Sequence, residues 1–131
     1  MIVVDNHLAP EIEAGLCIRL LGQFVVMADV RDWKIHGLIA FDRITSTDAE
    51  MHVLGRAGFL TRGILREAGR LMFGRYGVQR VTAHMRAGNE CLHRVAERLG
   101  FVQEGLARRY YGDENAVIYG LLREDYAHGH E

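Results

Sequence analysis

The sequence predicts an α/β fold in which a mixed β-sheet carries helices on its faces. Three observations support this prediction. Short runs rich in β-branched residues indicate strands, amphipathic stretches with apolar residues at helical spacing indicate helices, and the second half orders them as strand–helix–strand–helix–strand. Such an order is typical of a sheet packed against helices.

Length and composition indicate an ordinary globular chain. Its 131 residues predict a single domain over residues 1–131, long enough to bury a core. The formal net charge of −1 gives no support for a general nucleic-acid or membrane-binding surface. Cys17 and Cys91 form neither a disulfide framework nor a metal-ligand pattern, and the histidines show no zinc spacing, so no metal is expected.

The N-terminal residues lack the features of a signal peptide, and no apolar run approaches membrane-spanning length. We therefore expect a cytoplasmic protein of a bacterium or of a phage-infected bacterium.

The first half of the chain is expected to hold one helix and three strands. Pro10 fits the first turn of a helix over residues 9–21, with Gly22 as its end. The apolar stripe of that helix comprises Ile12, Leu16 and Leu20. Strands are predicted over residues 24–30, 34–44 and 49–54, with a hairpin turn at 32–34.

The second half alternates strands and helices. Helices are predicted over residues 60–73 and 89–99, and strands over 78–86, 101–109 and 115–122. The first helix ends before Gly74, and the second before Gly100, which is suited to a left-handed backbone after a helix. The tail from residue 127 is polar, and we expect it to be loose.

The turn between the third strand and the next helix has the features of a phosphate-binding site. Residues 55–63 read Gly-Arg-Ala-Gly-Phe-Leu-Thr-Arg-Gly. The N-terminus of a helix presents unpaired N–H groups and the positive end of the helix dipole. Arg56 and Arg62 flank the turn and add donors for a phosphate oxygen. A structural turn that caps the helix is the alternative interpretation.

The order of motifs in this chain resembles the GNAT N-acetyltransferases. Asn89 opens a short helix that ends in the Leu-Gly-Phe of residues 99–101, and Glu-Gly follows at 104–105. The nearest likeness is to the ribosomal-protein alanine N-acetyltransferase branch and to short GNAT-like proteins carried by phages and prophages. The phage proteins share the Glu-Met-His-Val strand at 50–53, the Leu-Thr-Arg helix start and a final Tyr-Gly-Leu-Leu-Arg strand. The likeness covers about residues 35–124.

The resemblance implies a GNAT-like mixed, twisted sheet of six to seven strands flanked by three to four helices, with acetyl-CoA as co-substrate. Gly58 would allow close backbone approach of the pyrophosphate. The N–H groups that would face the pyrophosphate belong to Leu60, Thr61, Arg62 and Gly63. Asn89 would contact the pantetheine arm, with helix capping as an alternative or additional role. A backbone N–H near Val53 or Leu54 would polarise the thioester carbonyl.

Two residues are candidates for catalysis. Glu50 and His52 alternate along one strand and therefore share a face of the sheet. The resemblance implies that one of them takes a proton from the incoming ammonium, directly or through water, with Glu50 placed first. The alternative is a hydrogen-bonded pair that structures the sheet. Where relatives carry a tyrosine or serine near the leaving thiolate, this chain has Ala96 and Leu92.

The implied function is transfer of an acetyl group from acetyl-CoA to a primary amine by direct attack in a ternary complex. The acceptor stays open between a protein N-terminus, a lysine and a small amine. One alternative is a phage-encoded or virion-associated GNAT-fold binding protein with weak or no catalysis, and a nucleotide-binding protein ranks last. The resemblance also raises the expectation of a homodimer.

Overall fold

The structure, a computed structural model, describes residues 1–55 and 58–129. Arg56, one of the two arginines of the predicted phosphate-binding turn, lies outside the described residues. Seven strands are described: β1 (Ile2–Val4), β2 (Val25–Arg31), β3 (Lys34–Asp42), β4 (Asp48–Gly55), β5 (Arg80–Arg86), β6 (Val102–Ala107) and β7 (Ala116–Leu122). The described α-helices are α1 (Ala9–Leu16), α2 (Arg62–Gly69), α3 (Glu90–Arg98) and α4 (Arg123–Gly129). A short 3₁₀ turn (Asn6–Leu8) precedes α1, and a π-helical segment (Arg70–Arg75) extends α2.

The seven strands form one sheet in the order β1-β2-β3-β4-β5-β7-β6. Neighbouring strands are antiparallel except β4 and β5, which run parallel. A parallel pair requires a crossover connection, and α2 with its π-helical extension supplies it. The predicted α/β class and the GNAT-like sheet of six to seven strands with three to four helices are confirmed.

Both faces of the central sheet are covered. Because side chains alternate along a strand, odd and even positions enter different cores. The larger core joins the strands to α2 and the π-helical segment through residues such as Ile39, Phe41, Ile64, Met72, Val81 and Tyr119. The smaller core joins α1 to the opposite face through Ile12, Leu20, Val26, Ala28, Leu38 and Ala40. On β4 and β5, the alternation leaves polar side chains on the α1 side of the sheet.

Helix α1 is shorter than predicted, since it ends at Leu16 and not at Leu21. Cys17 follows it with φ 54°, a left-handed backbone, and its N–H donates to Glu13 O. Leu20 is buried as the apolar stripe predicts, but a loop carries it, and its N–H donates to the Glu13 carboxylate at 2.9 Å. The apolar residues therefore keep helical spacing as far as Leu20, although the helix itself ends at Leu16.

Cys17→Gly is expected to stabilise the fold by about 1 kcal/mol, because a Cβ is disfavoured in the left-handed region and glycine is not. Urea denaturation monitored by circular dichroism would measure the change. Cys91→Gly is the matched control, since Cys91 is also exposed but lies in α3, where glycine is a poor helix former. A lower midpoint for Cys17→Gly would contradict the expectation.

One strand and one α-helix were not predicted. Strand β1 has three residues, too few to show alternation, and pairs with β2 from Ile2↔Asp29 to Val4↔Met27. Helix α4 corrects the expected loose tail, because the helix continues to Gly129. Arg123 anchors its start by donating to Phe73 O at 2.7 Å and Val78 O at 3.2 Å. No helix in the described part of the chain is long and apolar enough to cross a membrane.

Candidate active site

The sheet splits between β4 and β5. These strands pair only from Asp48↔Arg80 to Met51↔Ala83. Beyond that point β4 continues along β3 as far as Gly55, and β5 continues along β7 as far as Arg86. The two strands therefore diverge, and a cleft of about 550 Å³ opens between them.

The cleft passes through the sheet and differs between its two sides. Its side toward α2 and α3 is mainly apolar, and its lining includes Met51, Val53, Leu60, Leu65, Met85 and Leu92. Its side toward α1 carries polar groups, including Glu50, His52, His84, Tyr110 and Tyr111. Two different molecules can thus approach the same gap from opposite faces of the sheet.

The N-terminus of α2 lies next to the end of β4 and presents free backbone donors. Thr61 caps the helix by accepting from Ile64 N at 3.5 Å, and its own N–H donates to Phe59 O at 2.8 Å. Within residues 1–55 and 58–129, the N–H groups of Leu60, Arg62 and Gly63 have no partner. Three of the four predicted donors thus have no partner among the described residues, while Thr61 uses its N–H on Phe59 O and its hydroxyl on the helix cap.

Gly58 has the backbone that the predicted loop requires. Its φ of +83° is in the region where only glycine is unstrained. A Cβ built there would meet no described residue within 4 Å other than the chain neighbours. The residue is exposed. Open space and a bare backbone allow close approach of a ligand.

Phe59 anchors this loop to the sheet, a feature that the sequence analysis did not identify. The ring is 5% exposed and packs over Gly37 and Gly55, which face each other across β3 and β4. A Cβ at Gly37 would lie 2.0 Å from the ring, and one at Gly55 would lie 2.7 Å from it. The two glycines leave the space that the Phe59 ring occupies. The packed ring in turn holds the start of α2 against the sheet.

Asn89 caps α3 and also lines the cleft. Its Oδ1 accepts from Leu92 N at 3.2 Å and caps α3. The residue is exposed and lines the cleft. Its amide NH₂ has no partner in the described part of the chain and remains a donor for a ligand.

Glu50 lies at the centre of the polar side and is 8% exposed. Arg43 donates to its Oε2, and this hydrogen bond raises the pKa of the Arg43 guanidinium above its usual value. His84 Nδ1 lies 2.7 Å from Glu50 Oε1, but the ring N–H direction misses the carboxylate, so this buried nitrogen makes no well-formed hydrogen bond. Both Glu50 oxygens are therefore in contact with nitrogen-bearing side chains.

His52 is paired with a buried carboxylate. Its Nε2 lies 2.8 Å from Asp42 Oδ1, and Asp42 is only 1% exposed. Leu21 N donates to the other oxygen of Asp42 at 2.9 Å. Sequence analysis missed Asp42, although an acidic residue ending an apolar strand was a usable signal.

Asp42, Glu50 and His52 each place one potential ligand atom within 4.8 Å of the others, a spacing compatible with a cation. The charge of Arg43 already stands beside Glu50, and His52 uses Nε2 on Asp42. We interpret the cluster as a hydrogen-bonded network.

Aromatic side chains from the β6–β7 connection close the polar side. Tyr110 stacks on His84 with ring centroids 4.7 Å apart, and Tyr111 meets Tyr110 edge-on at 5.1 Å. The Arg86 guanidinium lies 4.4 Å from the Tyr111 ring centroid. Burial is the main cause that raises the pKa of both phenols, so at neutral pH each offers an O–H donor.

Helix α3 brings no acidic group to the apolar side of the cleft among the described residues. Ala96 is 2% exposed and Leu92 is apolar. His93 turns away, with Nδ1 2.9 Å from the Tyr119 hydroxyl and Nε2 3.0 Å from Arg86 O. Cys91 is exposed and outside the cleft.

The Leu54 side chain does not line the cleft. It packs in the smaller core against α1, where Gly15 gives it room, since a Cβ there would lie 2.2 Å from Leu54. Val53 lines the cleft itself. Successive N–H groups of a strand point to opposite edges, so one of these two residues directs its N–H into the gap beside β5.

Comparison with solved structures identifies the fold as that of the GNAT acetyltransferases. No protein-family profile and no curated protein sequence matches the chain. A mutant form of spermidine N-acetyltransferase SpeG from Vibrio cholerae has a TM-score of 0.76 and 14% identity, with 99% of this chain and 98% of that one covered. A second SpeG structure from the same organism, described as mutant forms of the spermidine/spermine N-acetyltransferase, gives a TM-score of 0.72 at 16% identity, with 84% of this chain and 73% of that one covered.

The ribosomal-protein-S5-alanine acetyltransferase from Vibrio fischeri is also similar, with a TM-score of 0.62 and 24% identity over 79% of this chain and 62% of that chain. At these identities the comparison establishes the fold alone. Activity must be argued from the site.

Proposed function

We propose that this protein transfers an acetyl group from acetyl-CoA to a primary amine. The observation that carries the proposal is the cleft between β4 and β5, which has free backbone donors at one mouth and a polar cluster on its opposite side. An acyl donor and an amine can meet there from two faces of the sheet. The acetyltransferase activity named for the similar structures agrees with this chemistry.

The cofactor would be held mainly by backbone. The N–H groups of Leu60, Arg62 and Gly63 would bind the pyrophosphate at the positive end of α2, and Gly58 would let it approach closely. The pantetheine arm would follow the apolar side of the cleft, where the Asn89 amide NH₂ is free to meet one of its carbonyl groups. The Arg62 side chain is exposed at the same mouth.

The thioester would lie where the strands diverge. The N–H of Val53 or Leu54 that points into the gap would donate to the thioester oxygen, which gains negative charge as the amine attacks. This donor needs no rearrangement, because β3 holds β4 in place along its other edge. The protein would thus contribute positioning and oxyanion stabilisation.

The amine would enter from the polar side as an ammonium ion. Glu50 or His52 takes one proton from it, the neutral nitrogen attacks the carbonyl carbon, and the C–S bond breaks. The second proton of the nitrogen leaves during collapse, and the thiolate is protonated by solvent. Solvent fits this role because the described residues of α3 place no acid on the cleft.

Calorimetry with acetyl-CoA tests the proposal first, with micromolar affinity, about −8 kcal/mol, as the expected result. Thiol release is then followed with spermidine, a lysine peptide and an alanine-initiated peptide as acceptors. Turnover with any of them supports the proposal. Binding without turnover would favour the GNAT-fold binding protein, and absence of binding would overturn the cofactor assignment.

A further inference from the structure

We propose that His52, held in one tautomer by the buried carboxylate of Asp42, is the group that takes the proton from the acceptor amine. This assignment rests on the proposed function. It decides between the two candidate bases and gives Asp42 the role of a positioning residue.

The hydrogen bonds of Asp42 fix the ring. A carboxylate only accepts, so His52 Nε2 must donate to Oδ1 across the 2.8 Å contact. The backbone N–H of Leu21 holds the other oxygen at 2.9 Å, and the side chain of Asp42 is 1% exposed, which prevents it from turning away. The proton of a neutral ring is therefore on Nε2, and Nδ1 carries a free lone pair.

Nδ1 of His52 is available for chemistry. No described residue bonds to it, and the imidazole retains 17% exposure where it lines the cleft. Once Nδ1 has accepted a proton, the imidazolium is stabilised by the adjacent Asp42 carboxylate. Orientation of a base by a buried carboxylate is a known way to improve proton transfer.

Glu50 is less suited to the same step. Its Oε2 receives the Arg43 guanidinium, and its Oε1 lies 2.7 Å from His84 Nδ1. Asp42 contacts His52 directly, and an oxygen of Glu50 lies within 4.8 Å of a His52 ring nitrogen. Arg43 and His84 contact Glu50. We assign Glu50 an electrostatic part, in which its charge attracts the ammonium ion to the cleft.

The ammonium R–NH₃⁺ gives one proton to His52 Nδ1 and becomes R–NH₂. Its nitrogen forms a bond to the carbonyl carbon, the C–S bond breaks, and the sulfur leaves with the electron pair. The second nitrogen proton reaches the thiolate through solvent, and His52 returns its proton to water, so that the products are the amide, CoA thiol and one released proton.

Asp42→Asn tests the assignment through the tautomer. An asparagine can still accept from Leu21 N, but it presents an NH₂ group to Nε2, so the ring must move its proton to Nδ1. Nitrogen-15 NMR of the His52 ring should show Nε2–H in the unmodified protein and Nδ1–H in the variant. Asp29→Asn is the matched control, because Asp29 is also buried, at 5% exposure, and lies outside the cleft. A ring that is Nδ1–H in the unmodified protein, or unchanged in Asp42→Asn, would overturn the proposal.

A kinetic comparison separates base loss from structural damage. With spermidine or the alanine-initiated peptide, Asp42→Asn and His52→Gln are each expected to lower kcat/KM about 100-fold or more. With methoxyamine, whose nitrogen is already unprotonated at neutral pH, the loss should be less than tenfold. Equal losses for both kinds of nucleophile would contradict the assignment. The tautomer result needs neither acetyl-CoA nor an acceptor, so it stands even where the proposed transfer fails.

Discussion

Gly58→Trp is expected to abolish acetyl-CoA binding while the fold remains intact. The indole would occupy the space beside the N–H groups of Leu60, Arg62 and Gly63, where the pyrophosphate is proposed to bind. These groups have no partner among residues 1–55 and 58–129. Apart from its chain neighbours, no described residue has an atom within 4 Å of a Cβ built at Gly58, so the substitution displaces none of their packed side chains. Calorimetry should show micromolar binding for the unmodified protein and no heat of binding for the variant.

Gly112→Trp provides the control for Gly58→Trp. Gly112 has φ +85°, and a Cβ there also meets nothing within 4 Å, so both variants carry the same backbone strain and the same added indole. Gly112 lies in the β6–β7 connection and not in the loop that precedes α2. If Gly58→Trp still binds acetyl-CoA, or if both variants lose acetyl-CoA binding equally, the assignment of the pyrophosphate to the loop before α2 is contradicted.

Phe59→Ala is expected to lower both stability and cofactor affinity. Removal of a buried phenylalanine ring costs about 3–5 kcal/mol, a large part of a typical total stability of about 5–15 kcal/mol. Without the ring that packs over Gly37 and Gly55, the start of α2 would no longer be held against the sheet. The proposed pyrophosphate donors would then lose their fixed position. We expect acetyl-CoA affinity to fall at least tenfold in calorimetry at a temperature where circular dichroism shows the variant folded.

Phe73→Ala distinguishes the two effects. Phe73 is similarly buried, at 9% exposure, and belongs to the same core as Phe59, but it packs on Tyr126 away from the cleft. Its loss should lower stability by a comparable amount and leave acetyl-CoA affinity unchanged. If the two variants bind acetyl-CoA equally well, Phe59 has no special part in holding the loop.

The spacing of apolar residues and the positions of glycines in turns were sufficient to predict most strands and helices of the fold. Every strand and helix predicted after residue 22 exists, with boundaries shifted by a few residues, because apolar alternation and turn residues act locally. Sequence analysis missed β1 and α4, whose stability comes from pairing with β2 and from the anchoring of Arg123. The overextended α1 has a tertiary cause, since the Glu13 side chain holds the loop that buries Leu20.

The candidate site was only partly accessible to sequence analysis. Spacing placed Glu50 and His52 on one face, and the structure has them on the polar side of the cleft. Their partners Asp42, Arg43 and His84 come from other positions along the chain and meet them only through the strand register. That register aligns Asp42 on β3 with Glu50 on β4. The residue pattern within one strand cannot show which residue lies opposite on its neighbour.

The diverging strands also affect how this protein avoids unwanted association. A seven-stranded open sheet has two outer edges, here β1 and β6, but the split adds two inner ones along the ends of β4 and β5. Such edges invite pairing with foreign strands. Adjacent strands lie about 4.8 Å apart, so an intruding strand would need a gap of roughly twice that width, with backbone groups matched on both sides. An intruding strand would have to match both inner edges at once, which is a stricter condition than pairing with one outer edge.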